Sequence, residues 1–139
     1  MPKVLVSDPI DQVGLDILSQ VAQVNVNTSL SPEDLIKIIG DYDALMIRSG
    51  TRVTEAVIEA GQNLKIIGRA GVGVDNVDVP AATRRGILVV NSPEGNTIAA
   101  AEHALAMMMA LSRYIPSADR SVKAGEWKRS DFRSEEHHV

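Results

Sequence analysis

Cysteine is absent from the 139 residues, so the chain can form no disulfide framework and carry out no thiolate chemistry. That composition suits a reducing compartment, and the reading places the chain in the cytoplasm. Aromatic residues are nearly as scarce. One Trp, one Phe and two Tyr are all that occur, and Trp127 and Phe132 are expected to pack their end of the chain onto something. Basic residues are outnumbered, 14 against 18 acids for a net charge of −4. The pairs Arg84-Arg85 and Lys128-Arg129 stand alone rather than in a stripe, which argues against a nucleic-acid partner. No long hydrophobic run is present either. The most apolar stretch, TIAAAEHALAMMMAL, is interrupted by Glu102 and His103 and falls short of the roughly 20 residues of a spanning helix. Met1-Pro2-Lys3 leads straight into VLVSD, without the apolar segment of a signal peptide, so no membrane partner is expected.

Histidine is limited to three positions. His103 is a lone helical histidine and receives no role. His137 and His138 in RSEEHHV lack four ligands at a known spacing, so no metal residue is assigned and the segment reads as a frayed tail. No Ser/His/Asp set or pair of carboxylates can be assembled, and no catalytic residue is assigned.

What is present is an orderly alternation. Apolar residues make up 45% and charged residues 23%, the balance of an ordinary globular domain. Short β-branched runs (KVLVS, VNVN, ALMIRS, LKIIGR, ILVVN) recur behind helix-period segments such as 13–21 and 32–39, the signature of βαβ units and a five-stranded parallel sheet. KIIG and ILVV read as continuous apolar runs, as strands buried on both faces do, which predicts helix layers on both faces. Ser31 before Pro32 starts one helix and Gly40 stops it; Thr54 starts another, ending near Gly61; Asp78 caps a short helix that Gly86 closes.

Parallel sheets bind ligands at the carboxyl ends of their strands. Two arginines, Arg48 and Arg69, fall at such ends on neighbouring strands, in RSGT and RAGVG. A planar guanidinium suits carboxylate or phosphate, and the glycines expose backbone donors, so the two stretches read as halves of one anion pocket. The alternative is a local pairing of each arginine with Asp8, Asp75 or Asp78. The stretch IIGRAGVGVDNVD does not meet the dinucleotide fingerprint. Gly71 and Gly73 fit, but Asn76 stands where the third glycine belongs, and about 20 residues on there is Asn91 rather than an acid.

Residues 97–113 read as a long helix, capped by Asn96 or Thr97, with Ile98, Ala101, Leu105, Met108 and Leu111 on one stripe and Met107 and Met109 on the remainder. A helix apolar nearly all round requires cover from a further domain, a dimer partner, or a terminal segment wrapping back.

The combination of IRSGT, IIGRAGVGVDNVD and NSPEGNTIAAAEHALAMM at these distances resembles the N-terminal part of the D-isomer-specific 2-hydroxyacid dehydrogenase family, in its 3-phosphoglycerate-oxidising branch, over about residues 3–127. The resemblance implies a flavodoxin-like substrate-binding domain portion over 1–97. It implies further that the long apolar helix and the start of a nucleotide-binding domain occupy 98–127, with a divergent tail over 128–139. It assigns Arg48 and Ser49 to a small anionic 2-hydroxyacid such as 3-phosphoglycerate, Arg69 to the wall of the same pocket, Gly71 to a main-chain donor, Asn96 to a second substrate contact and Val72 to the nicotinamide side of NAD. The family's own GxGxxG strand and its Arg/Glu/His chemistry match nothing here, so NAD is expected to bind this chain alone weakly or not at all. The expected function is a substrate-domain segment of an NAD-dependent oxidoreductase of serine biosynthesis, inactive by itself and dimeric through the 97–113 helix. The alternatives are a stand-alone small-anion-binding module or a dimerising structural fragment.

Overall fold

Each short apolar run becomes one strand, and each strand after the first is led in by a short helix. In the computed structural model, which describes residues 1–133, the chain divides into two units, Met1–Gly95 and a second beginning at Asn96. The first contains β1 (Lys3–Val6), α1 (Gln12–Ser19), β2 (Gln23–Val26), α2 (Pro32–Ile38), a 3-10 turn Ile39–Asp41, β3 (Ala44–Ile47), α3 (Glu55–Ala60), β4 (Ile66–Arg69), α4 (Val79–Arg84) and β5 (Leu88–Asn91). All strand pairs are parallel, in the order β2-β1-β3-β4-β5. The winding therefore reverses between β1 and β3, the position at which open α/β sheets form a ligand crevice.

The helix boundaries follow side-chain chemistry. Ser31 Oγ accepts from Asp34 N at 3.1 Å, Asp78 Oδ1 from Ala81 N at 2.9 Å, and Asp11 Oδ1 from Val13 N at 2.9 Å, each satisfying an amide the helix leaves free. Gly40, expected to stop α2, instead lies within the 3-10 turn that follows it. Gly86 ends α4 with φ at +68°, a conformation that costs glycine nothing.

The pleat sorts side chains into two clusters. Leu5, Leu45, Ile47 and Ile67 pack with Leu35, Ile39, Val57, Ile58, Ala81 and Ala82 from the α2, α3 and α4 layer. Val4 and Val6 pack on the opposite face with Leu15 of α1, Ala22, Ala44 and Met46. Each fully buried aliphatic side chain contributes about 1.5–3 kcal/mol, and the larger cluster carries most of the stability. On the α1 face cover is incomplete, since Leu88 and Val90 of the edge strand β5 are exposed.

The second unit holds α5 (Thr97–Ser112), α6 (Ile115–Lys123) and a 3-10 turn Arg129–Phe132. Tyr114, at φ 54°, adopts the left-handed conformation between the two helices. Met107, Met108, Met109 and Leu111 of α5 are exposed, as is Trp127, which the scarcity of aromatics had marked as a packing residue. Among the described residues no helix is long and apolar enough to cross a membrane, and no cluster of metal-binding side chains occurs. His137 and His138 lie outside the described residues.

Candidate functional site

The site begins where β3 stops. The expected strand ALMIRS ends at Ile47, and the chain turns through Arg48, Ser49, Gly50 and Thr51 at the carboxyl rim of the sheet. Two side chains from elsewhere take over the hydrogen bonds that a neighbouring strand would have supplied. Asp8, just past β1 and 7% exposed, accepts through Oδ2 from the N–H of Arg48 at 2.6 Å and of Thr51 at 3.0 Å. Asn76 donates through Nδ2 to the carbonyls of Arg48 and Thr51, each at 2.6 Å. Ser7 Oγ meets Thr51 Oγ1 at 2.8 Å beside them.

Within this frame the Arg48 side chain is exposed, and its one hydrogen bond among the described residues goes to the Pro9 carbonyl, at 3.5 Å. Among the described residues it forms no ion pair, so Asp8 engages its backbone and leaves its charge free. Ser49 is likewise exposed.

Register sets Arg69, the last residue of β4, opposite Ile47, so the two arginines lie on adjoining strands at one rim. Their side chains behave differently. Arg69 is only 12% exposed and folds over its own loop, donating from Nη1 to the Gly73 carbonyl and standing 3.7 Å from Asp75, a carboxylate 86% exposed. A pair that open to water contributes little, so Asp75 does not neutralise Arg69 in the sense of a buried salt bridge. The Arg69 Nε is buried without an acceptor among the described residues. The Gly71 N–H is engaged by the Arg69 carbonyl at 2.9 Å, while the Gly71 carbonyl accepts from Ser92 N at 3.0 Å. Val72 is 41% exposed, and its carbonyl accepts from Asn91 Nδ2 at 2.5 Å. Asn91, standing where a dinucleotide site places its acid, thus holds the glycine loop instead. Asn96 belongs to the second unit, where it precedes α5 without a side-chain capping bond.

A cavity of 270 Å³ adjoins the clamped loop, lined among others by Ser7, Asp8, Thr28, Ser31, Thr51 and Arg52. Neither Arg48 nor Arg69 lines it. Asp8 and Asn76, the residues that shape the rim, were not singled out from sequence. Asp8 had counted only as a local pairing partner, and Asn76 only as a missing glycine. The one signal that could have marked them is a short polar side chain beside a glycine loop at a strand's carboxyl end.

Comparison with known proteins adds the following. The family model for the D-isomer specific 2-hydroxyacid dehydrogenase catalytic domain matches residues 4–136. A D-3-phosphoglycerate dehydrogenase of Synechocystis sp. is 71% identical over 132 residues, covering 95% of this chain and 24% of that protein. One from Archaeoglobus fulgidus is 55% identical over 131 residues, covering 94% and 25%. Among solved structures, an NAD+-bound 3-phosphoglycerate dehydrogenase of Entamoeba histolytica superposes with TM-score 0.70 at 32% identity, over 81% of this chain and 39% of that one. A Thermus thermophilus protein gives TM-score 0.80 at 32% identity, over 91% and 42%. The chain thus spans about a quarter of the length of these curated relatives.

Proposed function

The chain belongs to the D-isomer specific 2-hydroxyacid dehydrogenase family, and on that premise we propose that it forms the substrate-holding N-terminal part of an NAD-dependent D-3-phosphoglycerate dehydrogenase. That activity oxidises 3-phosphoglycerate to 3-phosphohydroxypyruvate for serine biosynthesis in the cytoplasm. In this reading residues 1–97 are a flavodoxin-like substrate domain, supported by the strand order β2-β1-β3-β4-β5. Residues 98–127 lead into the nucleotide-binding domain, and 128–139 are a divergent tail.

The observation that carries the proposal is the exposed guanidinium of Arg48, without an ion pair among the described residues, on a rim loop whose two ends are held through their backbone groups, beside the strand that bears Arg69. Arg48 and Ser49 hold the phosphorylated hydroxyacid, and Arg69 lines the same pocket with a planar donor face suited to an anion. Gly71 supplies a main-chain donor, which requires its N–H to turn away from the Arg69 carbonyl. Asn96 adds a second substrate contact. Val72, half exposed at the rim, touches the nicotinamide side of NAD.

The residues of this chain do not fit the rest of NAD. Asn76 occupies the place of the third glycine, the one that lets the helix of a dinucleotide site pack closely on its strand, and its amide is already committed to two carbonyls. The chain alone therefore holds its acid but not its cofactor. Isothermal titration of 3-phosphoglycerate into the 139-residue chain tests this. Saturable heat, weakened in Arg48→Ala and in Arg69→Ala, is expected, and a wild-type chain that takes up no ligand sinks the reading. The exposed Met107, Met108, Met109 and Leu111 support a homodimer formed through the 97–113 helix.

A further inference from the structure

Arg48 and Thr51 are the two ends of the rim loop, and each is gripped through both of its backbone polar groups. Their N–H groups donate to one carboxylate oxygen, Asp8 Oδ2, and their carbonyls accept from one amide nitrogen, Asn76 Nδ2. The stoichiometry closes. A carboxylate oxygen offers two lone pairs and an amide nitrogen two hydrogens, so both side chains spend their full capacity at these atoms on this loop. Asp8 is nine-tenths buried, and it stands so near that a Cβ added at Gly50 would lie 2.6 Å from its Oδ1.

The Arg48 side chain has no comparable anchor, since its one hydrogen bond among the described residues is the 3.5 Å approach to the Pro9 carbonyl. Its direction is set by the backbone it leaves, and that backbone is set by Asp8 and Asn76. We propose that Asp8 and Asn76 are positioning residues that hold Arg48 in the geometry that receives the anion; this rests on the reading of Arg48 given above. A buried carboxylate beside an anion-binding loop opposes the anion by charge. Its presence is explained by the two amides it fixes, and the two effects have opposite signs and can be separated.

Asp8→Asn keeps an oxygen to accept both N–H groups and removes the charge. Asp8→Ala removes both. For Asp8→Ala, 3-phosphoglycerate binding by calorimetry weakens about tenfold or more, because a misplaced binding group costs more than one distant charge restores. Asp8→Asn binds as tightly as wild type or more tightly. Asn76→Asp, which turns acceptors toward two carbonyls, weakens binding as Asp8→Ala does.

Amide hydrogen exchange reads the clamp independently of the ligand. The N–H groups of Arg48 and Thr51 exchange slowly in wild type and Asp8→Asn, and fast in Asp8→Ala. An Asp8→Ala chain that melts as a folded protein and binds as tightly as wild type overturns the proposal, as do fast-exchanging amides at both positions in wild type. A wild-type chain that binds no anion overturns the reading of Arg48 and the positioning role with it, while exchange still reports whether the clamp exists. If Asp8→Ala does not fold, Asn76→Ala removes the donor side of the clamp, and the same two outcomes decide.

Discussion

Replacing Gly50 by alanine should destabilise the chain through contact alone, with no penalty from backbone conformation. Gly50 does not adopt a positive φ, so alanine is allowed there, and at a compatible position Gly→Ala ordinarily stabilises by about 0.4–1 kcal/mol through the unfolded state. Against that, the new Cβ meets Asp8 Oδ1 at 2.6 Å and Asp8 Cγ at 3.4 Å. Asp8 cannot yield freely, because its other oxygen is held by two amides, and hydrogen bonds to a charged group are worth about 1.5–3 kcal/mol each. Relief by a backbone shift carries the cost of overpacking, about 1–3 kcal/mol. The net expectation is a loss of about 1–2 kcal/mol, measured as a shift of the urea midpoint at unchanged slope. A double-mutant cycle assigns the cause. In an Asp8→Ala background the obstructing carboxylate is gone, and Gly50→Ala should become neutral or stabilising. If it costs as much there as in wild type, the proximity of Gly50 to Asp8 is not what excludes a side chain, and the account of the loop as one unit with Asp8 fails.

Three further outcomes are expected. Gly86, at φ +68° with open space where a Cβ would lie, should lose about 1 kcal/mol on change to alanine and less on change to asparagine, by chemical denaturation. Hydrogen bonds from the Lys65 ammonium and from the Lys3 backbone N–H hold the Asp43 carboxyl below its ordinary pKa. Its folded value lies beneath its unfolded one, so this contribution is complete above the ordinary carboxylate range and is lost as pH falls through the folded value; Asp43→Asn should flatten that acid limb of the stability profile. Association through α5 should depend on concentration in sedimentation and be abolished by Met108→Glu, and a wild type that stays monomeric at every concentration removes the dimer proposal.

The parallel sheet was legible because β-branched runs mark buried strands whatever surrounds them, and the caps at Ser31 and Asp78 are local chemistry, whereas Thr54 starts α3 without a side-chain capping bond. Strand ends were less so. ALMIRS looks extended to Ser49, yet β3 stops at Ile47 because Asp8 and Asn76 take the polar groups of Arg48 and Thr51. Such an ending depends on partners distant in the chain. For the same reason Asn76 read as a defect in a glycine motif, since nothing nearby discloses what its amide reaches. The rim positions of Arg48 and Arg69 followed from the strand pattern, but not the folding of Arg69 over Gly73, which the loop's own carbonyls decide. Helix α6 escaped notice because IPSADRSVK holds few apolar residues to set out its period, and Tyr114 supplies its break from α5 through a backbone angle that no pattern announces.

The stitches at the rim join residues 40 and 43 positions apart on the Asp8 side, and 28 and 25 apart on the Asn76 side. Closing intervals of that length comes after the early local events of folding, once β1, β3 and β4 already lie side by side. A ligand that needs this arrangement meets only finished molecules. It should leave the speed of refolding untouched, slow the reverse step, and raise the melting point with its concentration. No short peptide cut from RSGT will reproduce the affinity of the assembled rim.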